Sequence, residues 1–439
     1  MAEISPFSAY RYDPRRVSLA DVVTQPYDKI TSVMQERYGR ASPYNLIAVE
    51  KGVAKPGDSP QDNVYTRAER ALQEWIRAGI LVRDATPGIY VYFQVYTVPG
   101  SGERLTRKGF IALGRVEDYA AGVIFRHEQT LAGPKADRLE LLRHTRTHTG
   151  QLFMLYADAE RRVDDLLDRA SKAAAPLEAT DEYDVTHKLW PVFDAPWIAA
   201  VARAMAAQKL VIADGHHRYE TALAYRNERR AGDARTDAQA PYEFAMMTFF
   251  NTRDAGLTIL PTHRILAGVA SFDAQSFRGK MSAAFEEESY SFGSDVARGV
   301  AFDRFRTRLA SSPHSIGMYA PGVFTILKLR ADADRALLLP EVPVSQRGLD
   351  VVLLHRLLLE RGLGITAAAV TAEKNLSYER DIGTAVAAVD GGRAQAAFLL
   401  NPIGVEQVME IALRGEVLPQ KSTDFYPKLL SGLTLYRFD

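Results

Sequence analysis

The chain of 439 residues contains no cysteine. That excludes disulfides, thiolate metal sites and a cysteine nucleophile, and it fits a cytoplasmic protein. Net charge is lacking too: 54 Lys and Arg balance 54 Asp and Glu. A dedicated nucleic-acid binder carries a basic excess, so no nucleic-acid partner is expected. No apolar run reaches the ~18 residues of a membrane span, and Met1 to Tyr12 has no apolar signal-peptide core. No membrane partner is expected, and nothing indicates the oligomeric state. Internal repeats and low-complexity tracts are missing. So are Gly-x-Gly-x-x-Gly, Gly-x-Ser-x-Gly and the Walker spacing, which removes support for a dinucleotide fingerprint, a hydrolase elbow or a P-loop.

What is there is the composition of a globular protein, 47% apolar and 25% charged, at a length that suggests two or three domains. Asp62 to Ala78 has the apolar spacing of an amphipathic helix. Ile89 to Val98 alternates through Tyr90, Tyr92, Gln94 and Tyr96 as a strand. The Pro99-Gly100-Ser101-Gly102 turn joins it to a second strand over Leu105 to Val116. From Ser271 onward helices and strands alternate, and Leu349 to Arg361 reads as one strong helix. The mixture predicts an α/β (mixed α+β) fold. A boundary near 265–275 divides it into a core domain, 1–268, and a second α/β domain, 269–439, whose C-terminal Lys-Ser-Thr loop returns to the site.

The most informative stretch runs from Lys209 to Arg226. A short apolar strand, Leu210 to Ala213, stops at the turn dipeptide Asp214-Gly215. A helical pattern then starts with His216, His217 and Arg218 in its first turn. The first N–H groups of a helix lack intrahelical partners, and the dipole is positive there. Gly215 lets a ligand approach the backbone, and Arg218 with the imidazoles adds donors, which together make the chemistry of a phosphate site. The plainer alternative is that Asp214 caps an ordinary helix.

Seven of the nine histidines fall between 127 and 263. Arg126-His127-Glu128-Gln129-Thr130 offers an acid–base pair or a solvated loop. His144 and His148, four apart on an expected helix over Asp137 to His148, share a face, but two histidines do not make a metal site. Pro261-Thr262-His263-Arg264 suits an anion at a strand end. His187, His314 and His355 read as satisfied or surface side chains. Gln420-Lys421-Ser422-Thr423-Asp424-Phe425-Tyr426-Pro427-Lys428, with Ser431-Gly432, sets two lysines and two hydroxyls in one turn-rich segment suited to phosphate. Its aromatic and leucine residues indicate a packed segment rather than a loose tail.

These motifs together resemble a prokaryotic family labelled domain of unknown function 1015, over nearly the whole chain. The Gly-His-His-Arg-Tyr-Glu box is also similar to the Gly-x-His-Arg-Tyr box of sulfiredoxin, the Gly-Glu-Arg-Arg box of the ParB partition proteins and the Asp-Gly-His-x-Arg box of free serine kinases. In that superfamily the box opens a helix and holds nucleotide phosphates. The missing cysteine rules out sulfiredoxin activity. Genes of the unknown-function family tend to lie beside those of serine biosynthesis. The resemblance therefore implies a ParB/sulfiredoxin-like nucleotide-binding core and a nucleotide-dependent phosphotransferase that interconverts L-serine and O-phosphoserine with ATP or ADP and Mg²⁺. Gly215, His216, His217 and Arg218 would hold the nucleotide. Arg126, Thr130, His263, Arg264, Lys421, Ser422, Thr423 and Lys428 would hold the substrate or the transferred phosphate. Glu128 is the preferred base, with His127, Asp28, Asp214 and His217 as further catalytic candidates; no residue is assigned to metal. A nucleotide-independent phosphoserine phosphatase and a non-catalytic nucleotide-gated binding protein are the alternatives.

Overall fold

A computed structural model describes residues 2–128, 133–233 and 237–438. Strands and helices mix throughout, so the fold is α/β in the broad sense. The chain divides into two compact units. Unit 1 comprises 1–126, 130–258 and 425–439; unit 2 comprises 127–129 and 259–424. Among the described residues, no helix is long and apolar enough to cross a membrane.

Unit 1 is built on a nine-stranded mixed sheet. Its order is Ile124–Arg126, Leu210–Asp214, Leu152–Tyr156, Phe244–Asn251, Arg104–Arg115, Ile89–Thr97, Thr186–Val192 and Leu177–Thr180, with Ile4–Ser5 added beside Arg104–Arg115. Leu152–Tyr156 and Phe244–Asn251 are buried along their whole length and pair in parallel. Such continuous apolar runs suit a strand covered on both faces. The expected hairpin is present: Ile89–Thr97 pairs antiparallel with Arg104–Arg115.

The alternation along Ile89–Thr97 sorts its side chains onto two faces. Ile89, Val91 and Phe93 join the large apolar core with Phe110, Met154 and Phe249. Tyr90, Tyr92, Gln94 and Tyr96 point the other way, and that face is buried as well. Tyr96 meets the ring of Tyr426 at 5.4 Å, and Gln94 donates to the carbonyl of Lys428 at 2.8 Å. A face that the sequence marks as half-polar thus seats the C-terminal segment.

Unit 2 carries a six-stranded antiparallel sheet in the order Phe285–Ser291, Val323–Leu329, Ser315–Ala320, Ala396–Leu399, His263–Leu266, Leu376–Glu379. Helices Asp295–Ala310 and Ile382–Asp390 pack their apolar sides onto it through Phe305, Leu309, Val386 and Val389. The expected single helix over Leu349 to Arg361 differs in kind. One α-turn, Asp350–Leu353, passes into a π-helix over Leu354–Gly362. A leucine-rich periodic stretch looks the same in sequence for either form, because the widened hydrogen-bonding step is set by packing.

Candidate functional site

Strand Leu210–Asp214 ends where helix His216–Gly232 begins, and Gly215 alone makes the corner. Its φ is +92°, and a Cβ there would lie 3.1 Å from both Arg218 Nη2 and Leu152 Cδ2. Only glycine takes that conformation without strain. The first intrahelical bond runs from Tyr219 N–H to the Gly215 carbonyl at 2.9 Å, so the positive end of the helix dipole is directed at residues 214–218. The far side of the helix is anchored. The Tyr219 hydroxyl donates to the Glu117 carbonyl and accepts from its N–H at 2.9 Å. The buried Arg226 guanidinium donates to the Val116 carbonyl and to Asp118.

Asp214 does not cap this helix: the N-cap is Gly215, with no side-chain cap bond. The carboxylate is instead the centre of a charge cluster. It accepts from Arg218 Nη2 at 3.3 Å and faces Lys428 Nζ at 3.7 Å. Burial by itself would raise its pKa. Lys428, then Arg218, Lys29 and His216 outweigh that and hold the carboxyl well below the usual range. The charged form of Asp214 is therefore favoured, and the carboxylate orients two cations beside the helix N-terminus.

Residues that sequence reading passed over set the position of Lys428. Arg107 is fully buried in mid-strand, between the rings of Phe153 (4.6 Å) and Phe250 (4.7 Å). Its guanidinium donates to the carbonyls of Tyr426 and Pro427 and to Gln94 Oε1. Burial pushes Arg107 down to about 10. Gln94 in turn donates to the Lys428 carbonyl, so three consecutive backbone carbonyls are tied to two buried side chains. Gln151 acts similarly on the other side: Arg218 donates to its carbonyl, and its amide donates to the Leu430 carbonyl at 3.1 Å. For Gln94 the signal in the sequence is a polar residue within an otherwise apolar and aromatic strand, because a buried polar group must find partners; Arg107, flanked by Thr106 and Lys108, and Gln151, just ahead of its strand, carry no such signal.

The remaining sequence candidates of unit 1 lie as follows. Arg126 sits over the Tyr119 ring at 5.3 Å and pairs with Glu220 at 4.0 Å, which also pairs with Lys135. Asp28 is exposed in the short turn Tyr27–Lys29. Thr130 lies outside the described residues. His144 and His148 do not share a helix face. The helix ends at Thr145, and His148 lies in a strand pairing with Tyr436–Arg437. The left-handed residue Arg146 (φ 48°) turns the chain between them.

In unit 2 three separated motifs meet. His127 is fully buried, with Nε2 2.7 Å from the Thr423 hydroxyl, and its carbonyl accepts from Leu418 N–H at 2.8 Å. Glu128 Oε1 accepts from Lys421 N–H at 2.9 Å. The buried Arg264 donates to the carbonyls of Thr262, Gln420 and Lys421, and its Nε donates to His355 Nε2 at 3.3 Å. The Ser422 hydroxyl donates to the Pro419 carbonyl. These bonds shape the 418–423 loop, in which Lys421 itself is left-handed at φ 58°. His263, buried in its strand, accepts from Leu400 N–H through Nδ1 at 3.2 Å.

Burial pushes His263 down to about 4 and His355 down to about 3, with Arg264 adding to both. A base whose folded pKa is depressed stabilises fully above its unfolded value of 6.5, and that contribution is lost as pH falls toward the folded value. His355→Gln keeps an acceptor for Arg264 but cannot titrate. The drop in unfolding free energy between pH 7.5 and 5 is therefore expected to shrink by about 1–2 kcal/mol in this variant. Urea titrations at the two pH values measure it; an unchanged drop would show that His355 titrates normally.

Among the described residues, no group of three or more His, Asp or Glu side chains is arranged to hold a metal ion. Unit 1 thus carries a glycine-cornered helix N-terminus with two cations beside it, and unit 2 a braced Lys-Ser-Thr loop. Several solved structures are similar over much of the chain. A conserved hypothetical protein from Pyrococcus furiosus is 12% identical, with 71% of this chain and 92% of that one covered and a TM-score of 0.33. Free serine kinase in complex with AMP is 11% identical, with 71% and 89% covered and a TM-score of 0.35. SbnI with a C-terminal truncation, from Staphylococcus aureus, is 10% identical, with 74% and 87% covered and a TM-score of 0.33. Scores this low carry no argument about this chain. No curated protein matches it in sequence. The model of the DUF1015 family, described as a protein of unknown function, matches residues 4–359, and the chain belongs to that family.

Proposed function

We propose that the protein is a nucleotide-dependent phosphotransferase, with residues 214–218 and Lys428 of unit 1 as its phosphate site. One observation carries the reading: a glycine-cornered helix N-terminus has Arg218 and Lys428 both directed at its entrance by one ionised carboxylate. Phosphoryl transfer needs positioning and charge neutralisation more than covalent chemistry from the protein. Donors from the helix turn and two fixed cations supply both.

The substrate pair, L-serine and O-phosphoserine, and the ParB/sulfiredoxin-like character of the core rest on the resemblance of the Gly-His-His-Arg-Tyr-Glu box. In the kinase direction the serine hydroxyl oxygen attacks the γ-phosphorus of ATP. The bond from that phosphorus to the bridging oxygen breaks, ADP leaves with the electron pair, and the serine proton passes to a carboxylate. Asp214 is better suited to orienting Lys428 and Arg218 than to taking that proton, since two cations hold it ionised. Asp28, in the same unit, is the acceptor to test, as Asp28→Asn. Mg²⁺ would enter with the nucleotide phosphates, as it does where few protein carboxylates bind it. The setting proposed is the cytoplasm.

The test is phosphorus NMR on the purified chain with Mg²⁺, O-phosphoserine and ADP, and in parallel with L-serine and ATP. Movement of phosphate between serine and nucleotide supports the reading. Free phosphate from phosphoserine without nucleotide would make it a phosphatase, and silence in both tubes would leave a nucleotide-gated binder. Arg218→Ala is expected to weaken nucleotide binding by about 1.5–3 kcal/mol, the scale of a charge-assisted hydrogen bond. Calorimetric titration with ADP measures this, and unchanged affinity would remove Arg218 from the phosphate site.

A further inference from the structure

Unit 2 holds a cavity of about 430 Å³, walled by the buried side chains of Val342, Val352, Ile365, Val370 and Leu418. That is the size and the apolar lining of a small-molecule site. Two polar side chains, Gln346 and His355, interrupt the apolar wall. Gln346 is only 5% exposed, and its Nε2 donates to Glu416 Oε2 at 3.0 Å. An ionised carboxylate only accepts, so the amide nitrogen must face it and the amide oxygen is left over. Among the described residues, no donor meets Gln346 Oε1.

The half-buried His355 is fixed in the same manner. Arg264 Nε donates to its Nε2 at 3.3 Å. A guanidinium only donates, so that ring nitrogen must accept, and the imidazole carries its proton on Nδ1. Among the described residues, no acceptor meets Nδ1. The wall thus offers one acceptor and one donor in apolar surroundings, where an unmade hydrogen bond is costly. His355 stands in the first turn of the π-helix Leu354–Gly362, a form found frequently at functional sites. The charged lining is acidic: Glu341, Glu360 and Glu416 stand against Arg356, which pairs with Glu360 at 2.9 Å. Carboxylates remain in excess even when Arg264, bonded to His355, is counted, so an anion is disfavoured.

We propose that this cavity binds an uncharged small molecule that carries an amide or lactam group on an apolar body. Its N–H donates to Gln346 Oε1, and its carbonyl accepts from His355 Nδ1–H. The apolar remainder lies against the valines and Ile365 of the wall. The site stands independently of the phosphotransferase reading, which concerns unit 1. A nucleobase and a simple carboxamide share the recognised group, and the experiment separates them.

The full-length chain is titrated calorimetrically with uracil and with nicotinamide. Each has a control: 1,3-dimethyluracil lacks the N–H, and nicotinate replaces the amide by a carboxylate. At least one amide is expected to bind, and its control to bind about tenfold more weakly or worse, the scale of a hydrogen bond left unmade in a buried site. Gln346→Met, which removes the free acceptor and keeps the chain length, is expected to cause a loss of the same order. Arg218→Ala, in unit 1, is expected to leave amide binding unchanged. Binding of uracil alone identifies a nucleobase site, and binding of nicotinamide alone a carboxamide site. If neither amide binds, or each control binds as well as its amide, the proposal is overturned. Equal binding by Gln346→Met overturns it too, and if that variant does not fold, the wild-type contrasts and Arg218→Ala decide. Binding that is lost in Arg218→Ala would place the ligand in unit 1 and overturn the proposal as well. Gln346-dependent binding without any phosphoryl transfer would remove the phosphotransferase reading and leave this site standing.

Discussion

Replacing Arg107 with leucine is expected to lower the unfolding free energy of unit 1 by about 3–5 kcal/mol. Three buried acceptors, the carbonyls of Tyr426 and Pro427 and Gln94 Oε1, lose their donor at once. A stranded buried acceptor costs about 1–3 kcal/mol. The guanidinium also leaves its place between Phe153 and Phe250, where cation–π contacts at desolvated sites are worth ~2 kcal/mol. Relief of the buried charge works in the opposite direction, since burial already disfavours the cation. The number of stranded acceptors decides the sign. Urea unfolding followed by the fluorescence of Trp190, which packs in the unit 1 core, reads the loss. A change below about 1 kcal/mol would mean that the C-terminal segment is held by something else.

The second large effect is on chemistry. Lys428→Met removes the strongest electrostatic partner of Asp214 while keeping an unbranched side chain of similar length. The backbone at 428 is held by Gln94 through its carbonyl, which the substitution leaves in place. Phosphoryl transfer is therefore expected to fall on the order of 10²–10³-fold, the usual result of deleting one preorganised charge-stabilising donor. The fold is expected to persist. Initial rates from the phosphorus NMR assay, with melting curves alongside, separate the two effects. A folded variant with an unchanged rate would place the transferred phosphate away from Lys428 and return the C-terminal segment to a purely structural role.

Both predictions turn on a segment only partly legible in the sequence. Lys421, Ser422, Thr423 and Lys428 read as one phosphate-suited stretch, yet the structure divides them. Residues up to Asp424 belong with unit 2, and those from Phe425 onward with unit 1. Local composition cannot show such a division, because the partners are far away in sequence. Lys428 is tied to Gln94 and Asp214, whereas Lys421 N–H is tied to Glu128. The same reason explains Arg264. At a strand end it suits an anion, but its donors are spent on carbonyls more than 150 positions further along and on neighbouring Thr262.

The sequence by itself determined the strand, the corner and the helix around Asp214. Apolar β-branched residues, a glycine at positive φ and helical spacing are local properties, and the structure has them where the pattern puts them. It also determined the hairpin of Ile89–Thr97 with Arg104–Arg115, and the mixed α/β class. Only the tertiary structure decided that Asp214 orients two cations instead of capping, and that Arg107 and Gln94 aim Lys428. Each of these depends on a charge or a polar atom meeting, or failing to meet, a partner from a distant part of the chain. Burial sets what that meeting is worth, and neither distance nor burial is written in local sequence.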